Sequence, residues 1–98
     1  MHILTVAYGH PQDPATFDSY YENTHRRLAE KVPGVATFTA RRCAAVGDGE
    51  PPYYLIAELA FPTAEKLAEA LGSPEGQAAA ADIDNFADGG VTLFVQHD

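Results

Sequence analysis

The chain has 98 residues, which is room for one domain and one core. Hydrophobic residues make up 46% and charged residues 20%, a globular balance rather than a disordered one. Fourteen acidic against six basic residues give a formal charge of −8, a field that repels phosphate backbones and excludes nucleic acid as a partner.

Residues 2–8 are rich in β-formers and run into the turn-forming stretch Gly9-His10-Pro11-Gln12-Asp13-Pro14, which predicts a first strand that begins at once. The N-terminus has neither a basic region nor a cleavage site, and no apolar run reaches the roughly 18 residues of a bilayer span. The expectation is a cytoplasmic protein with no membrane contact. Asp13 before Pro14 is a helix-start signal, and Pro33-Gly34 stops that helix at about Val32. At about 100° per residue, Phe17, Tyr21, Thr24, Leu28 and Val32 form one stripe. Ser19, Asn23, Arg26 and Glu30 fall on the solvated side. His25 sits on the border, roughly 60° from the stripe's centre, and Arg27 lies nearer the stripe than Arg26.

Val35 to Cys43 predicts a second strand, followed by a loop from Ala44 to Pro52. Cys43 is the only cysteine, so no internal disulfide forms; it reads as a half-buried strand residue beside Arg41 and Arg42. Tyr53 to Phe61 is a third strand, in which Leu55, Ala57, Leu59 and Phe61 alternate with Tyr54, Ile56, Glu58 and Ala60. Thr63 caps a short helix over residues 64–71, stopped by Gly72. Ser73-Pro74 opens another, running to about Ala87. Gly89-Gly90 releases a last strand, Val91 to Gln96. Strand, helix, strand, strand, helix pair, strand is the α+β, ferredoxin-like βαββαβ order, a four-stranded antiparallel sheet with its helices on one face.

Alternation divides that sheet into two faces. Leu4, Val6, Tyr8, Ala36, Phe38, Ala40, Leu55, Ala57, Leu59, Phe61, Leu93 and Val95 form an almost wholly apolar set that should meet the helices. Ile3, Thr5, Ala7, Val35, Thr37, Thr39, Arg41, Tyr54, Ile56, Glu58, Thr92, Phe94 and Gln96 form the other. That set is too apolar for water and too polar for a core. Two such sheets packed face to face would hide it, with Arg41 and Glu58 available as a charge pair. A homodimer through the sheet face is the expected assembly.

Tyr8 with Pro11, then Phe17, Tyr20-Tyr21, His25, Leu28-Ala29 and Pro33-Gly34-Val35 resemble the EthD family. Its pattern is a tyrosine-ending first strand, a helix with Phe and a Tyr-Tyr-x-x-x-His unit, and a Pro-Gly exit. The likeness covers nearly the whole chain, taken as one domain over residues 1–98. It implies a dimeric α+β barrel built from two four-stranded sheets. The family is named for an accessory protein of ether degradation and carries a reductase label; its relatives include cyclases, isomerases and monooxygenases that need no bound cofactor. Fold does not fix chemistry.

Candidate chemistry centres on His25. With Tyr21 one turn before it and Tyr8 arriving from the strand end, it can act as an acid or base near neutral pH, with a tyrosine hydroxyl polarising a carbonyl. Phe17, Tyr20, Phe38, Phe61 and Phe86 are the candidate substrate-binding wall, suited to an aromatic or long acyl ligand. No cofactor is expected: Gly47, Gly49 and Gly89-Gly90 form neither a dinucleotide fingerprint nor a phosphate loop. No metal is expected either, since Glu22-x-x-His25 occurs once and His2, His10 and His97 lack ligand spacing. Asp82, Asp84 and Asp88 read as a solvated face. The functional expectation is a cofactor-free or accessory enzyme acting on a hydrophobic carbonyl or aromatic molecule. A non-catalytic binding module and an oxidoreductase with a borrowed cofactor stand beside it.

Overall fold

A computed structural model describes residues 1–98. Its strands are β1 (His2–Tyr8), β2 (Thr37–Arg42), β3 (Leu55–Phe61) and β4 (Val91–His97), joined in the order β2-β3-β1-β4 with every pair antiparallel. Between β1 and β2 run α1 (Pro14–Tyr20), a π-helical turn (Tyr21–His25) and α2 (Arg26–Glu30). Between β3 and β4 run α3 (Ala64–Gly72), α4 (Pro74–Asp82) and a short 3-10 turn (Ile83–Asn85). The fold is α+β and ferredoxin-like. No helix is long and apolar enough to cross a membrane.

The helix starts are held by the side chains the sequence nominates. Asp13 accepts from the Thr16 N–H at 3.3 Å, Thr63 from Lys66 at 3.1 Å, and Ser73 from Gly76 at 3.0 Å. The first helix departs from its predicted stripe. Tyr21 and His25 are buried and Thr24 is exposed, because the π turn inserts one extra residue per turn: the Arg26 N–H donates to the Tyr21 carbonyl, five residues back. That lag keeps Phe17, Tyr21, His25 and Ala29 in line at intervals of four, where an unbroken α-helix would rotate His25 to the border. Arg27 consequently faces solvent, its Nε donating to the Asn23 carbonyl, while Arg26 lies over the Phe38 ring at 5.6 Å.

Two further expectations change. Tyr54 leaves the open face and swings to the helix side, where its hydroxyl donates to Asp18 at 2.8 Å and its ring meets Phe17 edge-on at 5.3 Å. Leu93 and Val95, expected under helices, are exposed. The helices lie over β1 and β3, and β4 is held chiefly by β1. Arg41 and Glu58 pair with each other at 3.6 Å within one sheet, and Gln96 donates to both Glu58 and Thr5 at 2.7 Å.

Phe17 is the hub of the larger core cluster, with Tyr8, Tyr54 and Phe86 at centroid distances of 5.5, 5.3 and 5.2 Å. Phe17→Ala should therefore lower the unfolding free energy by about 3–5 kcal/mol. Urea unfolding followed by far-UV dichroism measures it, and a loss under about 1 kcal/mol would show that the ring is not packed as described.

Candidate functional site

His25 leaves the last residue of the π turn and points under Phe86, whose ring centroid lies 4.8 Å away. Its Nδ1 meets Asp82 Oδ2 at 3.0 Å. A carboxylate only accepts, so Nδ1 carries the hydrogen and the Nε2 lone pair faces the other way. There the Tyr8 hydroxyl donates to it across a long 3.4 Å. Asp82 is itself held: Tyr20 Oη donates to Oδ1 at 2.6 Å and Asn85 Nδ2 at 3.0 Å. The 3-10 turn that ends the α4 segment early brings Asn85 back onto that carboxylate. Tyr20-Asp82-His25-Tyr8 is thus one continuous chain, drawn from α1, α4, the π turn and β1.

This chain borders an apolar cavity of about 60 Å³ between the helix layer and the sheet. Tyr8, Tyr21 and His25 line it together with Phe38, Phe61 and Ile83. The Tyr21 hydroxyl is buried without a hydrogen-bond partner. Of the five residues proposed from sequence as a substrate wall, Phe38 and Phe61 lie on the cavity. Phe17, Tyr20 and Phe86 do not; they stand behind the His25–Asp82 pair, Phe86 stacked on Tyr20 at 5.3 Å, and border a separate surface hollow with Asp84 and Asp88.

Asp82 is the residue that sequence reading missed. It is 57 positions from His25, and its neighbours Asp84 and Asp88 are exposed, so composition alone makes it part of a solvated face. The available signal was position: Asp82 ends a helix whose inward residues are Gly76, Ala79 and Ile83, and three residues after Ala79 it falls on the buried side.

Burial pushes the His25 pKa below its ordinary 6.5, partly opposed by the hydrogen bond and charge of Asp82. Burial also raises Asp82, but the bonds from Tyr20, Asn85 and His25 outweigh it and leave the carboxyl below its ordinary range. Tyr8 is driven upward by burial and by the neighbouring Tyr21 and Asp82. Burial likewise lifts Tyr21 to about 12. Near neutral pH the site is therefore a neutral imidazole oriented by a carboxylate, facing two protonated phenols.

A family model described as EthD domain matches residues 9–90. The chain is 43% identical over 94 residues to an uncharacterized 11.0 kDa protein in the thcB-thcC intergenic region of Rhodococcus erythropolis, spanning 96% of this chain and 91% of that protein. Its structure is similar to that of an EthD family protein from Bacillus halodurans C-125, with TM-score 0.93 and 33% identity over 100% of this chain and 98% of the other. A dimeric ferredoxin-like protein of unknown function from Jannaschia sp. CCS1 matches in fold, with TM-score 0.68 and 16% identity over 100% of both chains.

Titration by imidazole NMR should find His25 as the Nδ1–H tautomer with a pKa below 6.5. Because folding favours its neutral form, stability should fall as pH drops from about 6.5 through the folded-state value. Asp82→Asn removes the charge that holds the proton, so the His25 pKa should move further down. An upward move would contradict the pairing.

Proposed function

The chain belongs to the EthD family, and from that premise we propose that it is a single-domain, cofactor-free enzyme or accessory enzyme that moves a proton next to the carbonyl of a hydrophobic small molecule. The observation that carries this reading is the Asp82–His25–Tyr8 chain ending at an apolar cavity beside the unpartnered Tyr21 hydroxyl. Asp82 fixes the tautomer and supports the imidazolium that forms. His25 Nε2 is the general base. Its bond to Tyr8 is long, so a substrate C–H competes for the same lone pair. The C–H bond breaks, an N–H bond forms, and the electron pair moves onto the carbonyl oxygen. The Tyr21 hydroxyl stabilises that oxygen by hydrogen bonding. Return of the proton to the same or a neighbouring carbon gives exchange or isomerisation. Tyr20 and Asn85 act through Asp82 and are positioning residues.

A second reading, a binding module without turnover, draws support from the small size of the cavity. Incubation with aliphatic and aromatic ketones in D2O separates the two. Turnover predicts deuterium at the α-carbon by mass spectrometry, lost by about 10²–10⁴-fold in His25→Asn and reduced in Asp82→Asn and Tyr21→Phe. Binding without exchange in the wild type supports the module. Equal exchange in wild type and a folded His25→Asn variant sinks the acid–base role.

We also propose that the working form is a homodimer joined through the open sheet face. Ile3, Ile56 and Phe94 lie there around the Thr5-Glu58-Gln96 network, with Phe94 45% exposed in the single chain. The Jannaschia neighbour is described as dimeric. Light scattering at micromolar concentration should give a dimer that Phe94→Glu converts to monomer; a monomeric wild type overturns the assembly.

A further inference from the structure

The inner end of the cavity holds its polar groups; the outer end tells what shape of molecule it takes. On α4 the residues facing it are Gly76, Ala79 and Ala80, at the i, i+3, i+4 spacing of one helix face. Gly76 admits no larger residue, because a Cβ there would collide with the Ala70 carbonyl. Across from them stands Leu93 of β4, which lines the same cavity and is 48% exposed. Leu71, at the end of α3, also lines it and is 43% exposed. Val95, 42% exposed, is paired with Leu4 of the cavity wall and continues the apolar surface outward. This surface is on the helix side of β4, opposite the face assigned to the dimer.

A row of small residues is not a site by itself. Here it flanks a cavity whose inner wall carries a 4%-exposed tyrosine with an unpartnered hydroxyl, which calls for a ligand acceptor. About 60 Å³ is well below the roughly 150 Å³ of a cavity that holds benzene, so a ring exceeds the enclosed space, whereas an unbranched chain places only its head there and lays the rest over the exposed residues. Charge narrows the class further. No Lys or Arg lines the cavity and His25 is held neutral; Arg26, whose charge reaches the Tyr21 hydroxyl, is already paired with Glu22 at 3.3 Å, so a carboxylate there gains no free cation.

Resting on the proposed acid–base reading of this cavity, we infer that its ligand is a neutral straight-chain carbonyl compound. The carbonyl head lies at Tyr21 and His25, and the alkyl tail leaves between α4 and β4 over Ala80, Leu71, Leu93 and Val95. The tail is bound by apolar burial, so affinity rises with its length until it clears the lip.

The test uses the 2-alkanones from 2-butanone to 2-dodecanone, with binding read from shifts of the His25 and tyrosine NMR signals and turnover read separately as α-deuteration. Kd should fall by about fourfold per added methylene and then level off. Carboxylates of equal length should bind far more weakly, and acetophenone more weakly than 2-octanone. Ala80→Phe and Leu93→Asp both alter exposed positions, so the fold tolerates them; each should flatten the gradient. A Kd independent of chain length, acetophenone binding as tightly as 2-octanone, or an unaltered gradient in both variants overturns the inference. The two failures are distinguishable. A clear gradient with no deuteration in any ketone removes the acid–base reading and leaves the tail path standing. Deuteration with no gradient removes the tail path alone.

Discussion

The structure depends on one buried contact, His25 Nδ1 to Asp82 Oδ2 at 3.0 Å. Two polar side chains under an aromatic cover are costly unless each is satisfied. Asp82 meets that condition with three donors, from Tyr20, Asn85 and His25. The contact crosses from the first helical segment to the second, so it also fixes how the two halves of the helix layer sit over the sheet. The π turn tightens its geometry: an unbroken α-helix would turn His25 about 40° from Tyr21, and the extra residue brings both onto the buried face.

The aromatic packing gives the contact its electrostatic character. Phe17, Tyr21 and Phe86 pack against Tyr8 or His25 at centroid distances of 4.8 to 5.9 Å, and Tyr20 stacks on Phe86 at 5.3 Å. Solvent excluded on that side lowers the imidazole's proton affinity while Asp82 raises it, and burial wins. The outcome is an imidazole that stays unprotonated near neutral pH while hydrogen-bonded to a carboxylate. Phe17, Tyr20 and Phe86, although off the cavity wall, set this balance from behind.

The strands, the chain order of strands and helices, and the helix caps were legible in the sequence because period-two alternation and cap residues are local signals. Thr63, Ser73 and Asp13 act where they were read. The phase of His25 was not legible, since the hundred-degree wheel assumes an unbroken helix and nothing in Tyr21-Glu22-Asn23-Thr24-His25 announces an extra residue. Asp82 was hidden for a different reason: its partner is distant in the chain, and two exposed aspartates nearby share its composition. Tyr54 followed a strand alternation that ends one residue short of it, where the Asp18 hydrogen bond draws it to the other side. Each departure is a tertiary contact overriding a local pattern.

The cavity and the Tyr21 hydroxyl both work against stability. An unpartnered buried hydroxyl costs about 1–3 kcal/mol, and a larger side chain at Ala79 would fill space that now contributes no contacts. A core selected only for cohesion would close this gap and give the hydroxyl a partner. The chain instead keeps Gly76, Ala79 and Ala80 along the cavity and leaves Leu71 and Leu93 of its lining exposed. Stability is given up beside the His25–Asp82 pair, where a buried hydroxyl and an apolar gap lie together, the kind of local inconsistency expected of a functional site rather than of a core.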